Sequence, residues 1–385
     1  MKFFFSLLLI TACILKSSFS FSQGCSDAGV CSVGSLNLTQ FRFEFLPQEK
    51  NTMKAISAED TKMIVNLNGL ENDTVYPLPL ENTEPHSELN DQAQMKKDST
   101  SVLITDFLRP YQKYYFQFST AYGSGDQSTS IITYQLEGNM SVIKQKLFAQ
   151  VKLPYSFING NQGKVNGMND ITMSMSYFVF NKNKKNLSVT CGIKLPSNQA
   201  GKSLNDLPLP MVYQTSLGST DLLIGAKFTY KKWDFTGGYQ HSFNANENNY
   251  LHNPLITGNE TYNKYFESNK IKRADDGILR INRNFKIKKT VAGAGLLFIY
   301  HLANDEFTNS LNERVEAKGS KGLTLNLNFA AVTPISKSMD FVFVFGNPVV
   351  IRDARPDGLT RSFVVMTGVK YNMYKKLLPK KINTK

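Results

Sequence analysis

Leu222-Leu223-Ile224-Gly225-Ala226-Lys227-Phe228-Thr229-Tyr230 is the stretch on which the fold turns. Side chains of an extended strand point alternately to opposite faces. Leu222, Ile224, Ala226, Phe228 and Tyr230 therefore share one apolar face, while Leu223, Gly225, Lys227 and Thr229 share the other. The same rhythm of two recurs on both sides. Upstream, Ile171, Met173, Met175 and Tyr177 alternate with Thr172, Ser174 and Ser176. Leu187, Val189, Cys191, Ile193 and Leu195 alternate with Ser188, Thr190, Gly192 and Lys194. Downstream, Leu323, Leu325, Leu327 and Phe329 alternate with Thr324, Asn326 and Asn328. Each run has an oily face and a wet face, and Gly, Asn, Pro or Lys clusters bound it.

A β-sandwich has the same alternation, so the connections decide. The pattern places strands at 112–124, 128–141, 144–157, 169–181, 186–196, 220–231, 233–243, 273–286, 289–302, 319–333, 338–347 and 360–374. Connections Val142-Ile143, Lys182 to Lys185, Lys232, Ile287-Lys288 and Pro334 to Lys337 are short. The connections between them are long, apart from Gly125 to Gln127. Tight turns at one end and large loops at the other are the mark of an outer-membrane barrel. The expected fold is all-β, a transmembrane antiparallel barrel of about 12 strands (10–14), with tight turns facing the periplasm. The short turns are rich in lysine, at Lys182, Lys184, Lys185, Lys231, Lys232, Lys286, Lys288 and Lys337, and the plainest reading is a solvated rim.

Bulk composition agrees. Hydrophobic content is 41% and mean hydropathy is −0.27. Such a chain is too polar for a bundle of membrane helices. A barrel strand averages to a soluble-looking composition. Phe 27 and Tyr 17 against a single Trp suit aromatic girdles. The net charge is +13, with Lys and Arg scattered along the chain. No basic helix is present, so no nucleic-acid partner is expected. Anionic lipid headgroups or anionic solutes fit scattered positive charge better.

Residues 1–22 read as a Sec signal peptide: Lys2, the apolar stretch Phe3 to Leu15, then Ser18, Ser20 and Ser22 around the cleavage point. Ile10-Thr11-Ala12-Cys13 offers a lipoprotein box as an alternative. Residues 23–110 form a polar segment, periplasmic or plugging the lumen, with acids and amides dense between Glu71 and Asp98. The barrel is expected over 111–374 and a basic tail over 375–385. After export, Cys25 and Cys31 sit in an oxidising compartment and are a disulfide candidate. A metal site there is weaker, since no His lies nearby. Cys191 reads as a small buried hydrophobe on a strand.

No catalytic signature is present. His86, His241, His252 and His301 lack partners at metal-ligand spacing, and no GxSxG, P-loop or GxGxxG occurs. His241 and His301 read as wall residues. No enzyme activity, metal or cofactor is expected. The polar faces say more. Lys146, Gln150, Lys152, Lys194, Lys227, Thr229, Arg280, Asn282 and Asn326 should point inward. A Lys or Arg facing lipid at mid-depth costs about 2–4 kcal/mol. Of these, Lys152, Lys194, Lys227, Arg280 and Asn326 are the candidate lumen lining, which would be net-positive. Arg352, Asp353, Arg355, Asp357 and Arg361 crowd the last outer loop, with Pro356 before Asp357-Gly358 as a turn signal. Forked guanidinium–carboxylate pairs would order that loop over the mouth, a reading favoured over a ligand site.

Several short segments follow in a telling order: Leu153-Pro154-Tyr155, Gly167-Met168-Asn169-Asp170-Ile171, Gly192-Ile193-Lys194-Leu195-Pro196 and Leu217-Gly218-Ser219-Thr220-Asp221-Leu222-Leu223-Ile224-Gly225. In these the chain resembles transporter-like outer-membrane barrels of the MetA-pathway phenol-degradation type, and in Ile299-Tyr300-His301-Leu302, Gly322-Leu323-Thr324-Leu325-Asn326, the loop from Arg352 to Phe363 and the Cys25 to Cys31 motif it resembles an uncharacterised branch of them. Those are similar to FadL-type channels, and the likeness covers about residues 144 to 374. The resemblance implies an outer-membrane location and a channel for small hydrophobic or anionic organic solutes. It does not imply phenol. The alternative is a non-conducting barrel that anchors an outer-membrane assembly. An envelope protein would then dock on 23–110 or 375–385.

Overall fold

The computed structural model describes residues 111–144, 146–182, 185–255, 261–358 and 362–375. The expected signal peptide 1–22, the segment 23–110, the Cys25–Cys31 disulfide, Arg361 and the tail beyond Lys375 lie outside the described residues.

The alternating runs are strands. They are β1 Tyr111–Ser124, β2 Ser130–Ile143, β3 Leu147–Gly160, β4 Gly163–Met168, β5 Ile171–Lys182 and β6 Lys185–Leu195. After the small hairpin β7 Ser203–Leu204 and β8 Leu207–Pro208 come β9 Asp221–Tyr230, β10 Trp233–Ser242, β11 Asp276–Ile287 and β12 Thr290–His301. A second small hairpin, β13 Glu306–Thr308 and β14 Arg314–Glu316, precedes β15 Gly322–Pro334, β16 Met339–Val350 and β17 Val364–Lys375. Apart from the two hairpins, every strand joins one antiparallel sheet in which sequence neighbours pair and β17 returns to β1. β4 and β5 are halves of one strand broken at Asn169-Asp170, since both pair with β3. Counted so, the sheet is a closed 12-strand barrel.

Burial along the strands is inverted relative to a water-soluble barrel. In β9, Ile224 is 47% exposed while Lys227 is 5% exposed. Phe116, Phe118, Met175, Leu279 and Leu327 also stand outward, while Gln117, Ser119, Ser174, Thr190 and Asn328 are buried. A large continuous apolar exterior over a polar interior suits lipid outside. Outward aromatics gather near the strand ends, with Tyr177, Tyr230, Trp233 and Tyr371 toward the short turns and Tyr122, Tyr239 and Tyr300 toward the long loops. They sit where headgroups meet hydrocarbon. Cys191 shares this outer face and is exposed. The expectation of a buried Cys191 is corrected, because the apolar face of a barrel strand is its lipid face.

Two connections differ from expectation. The first tight turn lies beyond Ile143, which stays in the ladder opposite Leu147 after a register shift. Lys146, expected inward, is exposed in that turn. The expected long connection at 158–168 is instead the turn Asn161-Gln162, with β4 folding straight back on β3. Gly163 has φ +114, a conformation that L side chains rarely adopt, and it makes this sharp reversal strain-free.

The remaining long loops fold inward over the mouth. Tyr213, Tyr250, Tyr262 and Tyr265 from these loops pack with Leu209 and Val212 on Ile131 and Ile158 of the barrel wall. Ala200, Met211, Leu217 and Ile271 form a second loop core. Burial pushes the phenols of Tyr250 and Tyr265 well above the ordinary tyrosine range, so the cap is held by neutral, packed rings.

Candidate functional site at the outer mouth

The interior wall is built from ion pairs across strands. Lys152 and Lys227 are buried and meet Glu137 at 4.0 Å and Asp234 at 3.3 Å. Lys194 meets Asp170 at 3.5 Å, and Lys370 meets Asp340 at 3.6 Å. Strand register creates two of these pairs directly, since Lys152 lies opposite Glu137 and Asp340 lies opposite Lys370. Arg280 and Asn326 are buried on the same inner face. The lining is not net-positive among the described residues. Buried Glu137, Asp170, Asp221, Asp234, Asp276, Asp305, Asp340 and Asp357 balance buried Lys152, Lys194, Lys227, Arg273, Arg280, Lys370 and His301 together with nearly buried Arg352. The lysines were legible as strand interruptions, whereas their carboxylate partners lie on neighbouring strands.

The interior mixes polar and apolar groups. Ser, Thr and the Lys–carboxylate pairs face inward from β2 through β10. From β11 through β17 the inner face adds apolar groups, namely Ile278, Leu297 and Ile299, then Val332, Val342, Val344 and Met366, beside Arg280, Asn326 and the Lys370–Asp340 pair.

At the outer end the charges condense into one buried cluster. Register sets Asp276 opposite both Gln240 and His301 and sets Asp221 opposite Lys194 and Ser242. Arg273, just ahead of β11, donates to Asp221 at 3.0 Å and to Asp276 at 3.1 Å, and its Nε lies 3.9 Å from Asp357. The His301 ring sits between Asp276 at 2.7 Å and Asp305 at 2.8 Å. A carboxylate only accepts, so both ring nitrogens donate and the imidazole carries charge. Arg352 donates to Asp357 at 2.9 Å and to the Ser320 carbonyl at 2.9 Å, with Asp305 at 3.9 Å. Gln240 and Ser219 donate to Asp221 at 2.6 Å and 2.8 Å.

These groups hold each other ionised. Burial alone would raise the Asp357 carboxyl. Arg352, Arg273 and His301 outweigh it and hold that carboxyl well below the usual carboxylate range. Burial alone would weaken the Arg273 charge, but Asp221, Asp276, Asp357 and Asp305 reverse the balance. Asp170, in the break between β4 and β5, goes the other way. Burial dominates there and raises its carboxyl despite Lys194, the Ser216 hydroxyl and the Leu217 amide. Asp170, Lys194, Ser156, Asn169, Gln214 and Asp357 help line a cavity of about 40 Å³ beneath the Met211 to Leu217 segment.

The last loop therefore does more than pair with itself. Arg352 and Asp357 join within it, and both also reach the barrel rim. Arg355 meets Asp126 at 3.5 Å and stacks over the Phe266 ring, while Asp353 is exposed. His301, read as a wall residue, is a link in the cluster. Arg273, Asp221, Asp276 and Asp305 carried no signal of their own, although Asp170, Lys194, Asp221, His301, Arg352 and Asp357 all lie in the segments that carried the family resemblance. His241 contacts Asp275, and His252 the Tyr265 carbonyl. Among the described residues no set of His, Cys, Asp and Glu side chains is arranged to hold a metal ion.

A closed barrel, apolar outside and polar inside, with its mouth covered by its own loops, is a transmembrane β-barrel of the outer-membrane class. No known protein family and no curated protein matches the chain. Among solved structures, an outer membrane channel from Pseudomonas putida F1 is similar at 10% identity and a TM-score of 0.47, covering 70% of this chain and 98% of that one. The NanC porin is similar at 10% identity and 0.39, covering 67% and 100%. The outer membrane phospholipase A from Escherichia coli is similar at 12% identity and 0.31, covering 69% and 91%.

Proposed function

We propose that the protein is a gated outer-membrane channel for small organic solutes that are partly apolar and carry a charged or polar group. The observation that carries this reading is the mixed interior, in which Lys–carboxylate pairs share the wall with Ile278, Leu297, Ile299, Val342, Val344 and Met366. A solute with both characters finds both kinds of contact along the wall. The balanced charge favours such amphipathic molecules over anions in general. The resemblance to phenol-degradation-type barrels supports an organic solute. In this reading Lys152, Lys194, Lys227, Arg280 and Asn326 line the path, and the cluster around Arg273 latches the loops across it.

The test is uptake by liposomes holding the full chain. Aromatic carboxylates should enter faster than uncharged sugars of equal size, and Arg273→Met should speed entry of both. Absence of entry and of conductance in both proteins would sink the channel. The closed, charge-paired mouth equally suits a non-conducting anchor. That reading requires a stoichiometric partner to co-purify after mild detergent extraction.

A further inference from the structure

The rim of short turns holds its cations on the outside of the barrel. Lys185 pairs across the ladder with Tyr230, Tyr230 with Trp233, and Trp233 with Arg283. All four face outward, in one row across β6, β9, β10 and β11. The ammonium groups of Lys185 and Lys231 stand 5.5 Å and 5.1 Å from the Tyr230 ring centre. The Arg283 guanidinium lies 5.5 Å from the Trp233 ring, which stacks on Phe235 at 6.4 Å. Trp233 is 41% exposed. Among the described residues no carboxylate pairs with Lys185, Lys231 or Arg283.

Arg283 is the informative member. The outward residues of β11 are Leu279, Ile281, Arg283, Phe285 and Ile287, so the guanidinium interrupts an apolar strip that faces lipid. A charge on that face is unfavourable unless it lies near the interface and meets an anion there. The neighbouring carboxylate, Asp234, points inward and is taken by Lys227, Thr229 and Asn284. Lys231 adds a second sign. It occupies the tight turn with φ +54, where Gly or Asn fits with less strain.

We propose that Lys185, Tyr230, Lys231, Trp233 and Arg283 bind the phosphate headgroup of an anionic glycerophospholipid in the inner leaflet. The short turns put the row on the periplasmic side, where the leaflet is phospholipid. Arg283 offers a planar fork to two phosphate oxygens, and the lysines add point charges. The rings of Trp233 and Phe235 flank the glycerol and first acyl carbons, at the depth where aromatic girdles sit. Three cations without a carboxylate favour an anionic headgroup over a zwitterionic one.

The chain's single Trp makes the site its own reporter. The full chain is folded into vesicles containing a low mole fraction of phosphatidylglycerol or phosphatidylcholine with brominated acyl chains, and Trp233 quenching is measured. Brominated phosphatidylglycerol should be about fivefold more effective, as expected for one basic residue engaged at an anionic lipid surface. Combining Arg283→Gln with Lys185→Gln should bring the two lipids to parity, with phosphatidylcholine quenching unchanged as proof of insertion. Equal quenching in the unaltered protein overturns the site. An excess that survives in the double variant overturns its assignment to this row. An excess lost when phosphate replaces chloride at equal ionic strength overturns the lipid as the phosphate's source.

Discussion

At the outer mouth, Arg273 and Arg352 are enclosed and each meets more than one carboxylate, whereas at the inner rim Lys185, Lys231 and Arg283 lie exposed on aromatic rings with no carboxylate beside them among the described residues. The two arrangements answer different surroundings. Loops that cover a mouth need contacts with direction, and charged hydrogen bonds supply it once water is excluded. A rim at the membrane surface has anions within reach, so its cations need no protein partner. The mouth should therefore be sensitive to the loss of any one charge, and the inner rim should not.

The largest effect is expected from Arg273→Met, which leaves Asp221, Asp276 and Asp357 facing each other without their shared cation. Losing one member of a buried pair costs about 3–5 kcal/mol. Protease cleavage within 243–275, in intact vesicles, should rise about a hundredfold or more while the barrel's compact gel mobility persists. Unchanged cleavage would break the contrast drawn between the rims.

Acid should act next. A depressed carboxyl contributes stability in full above its unfolded value, and that contribution is lost as pH falls toward the folded one. Asp357 is of this kind. Loop protection, followed by hydrogen exchange, should decline progressively as pH falls below about 4. Asp357→Asn should start from weaker protection at neutral pH and show a shallower decline.

Gly358→Ala should cost less, about 1–3 kcal/mol in loop docking. Gly358 has φ +63, and an added Cβ would sit 2.5 Å from the Val212 amide nitrogen. Cleavage of the same loops is the measure, and an unchanged rate would mean that the last loop is not seated on Met211-Val212. The smallest effects are expected from Glu306→Gln, which breaks an exposed 3.9 Å contact with Arg314, and from Lys232→Gln in an inner turn. Both should stay within about 0.5 kcal/mol by thermal gel shift. A larger loss from Lys232→Gln would show that the inner rim is a structural device after all.

The strands were legible because side-chain alternation is local: Leu222 to Tyr230 declares its two faces without help from any other strand. The inward orientation of Lys227 followed from the same rule. Its partner Asp234 is close in sequence but was not recognised, because the hairpin register that opposes it to Thr229 appears only once the turn is known. The mouth cluster was less legible still. Asp221, Arg273, the His301–Asp305 pair and Asp357 come from four different outer connections or the strand ends beside them, and barrel closure brings them together. The hairpin of β3 and β4 was hidden for a different reason. Gly163-Lys164-Val165-Asn166-Gly167 reads as a glycine-flanked loop, and only cross-strand pairing with Tyr155 to Gly160 makes it a strand.

The ladder between β1 and β17 has a consequence for assembly. It joins the two strands of the sheet most distant in sequence, so it is the contact of highest loop-closure cost and the last that diffusion along the chain can supply. Until β17 arrives, both edges of the growing sheet present unpaired amides and carbonyls, in water or in lipid, where such edges recruit other strands. A chain interrupted before Val364 should thus be an aggregation hazard rather than a smaller pore. Catalysed insertion that shields those two edges until they meet is what this topology demands of the cell that makes it.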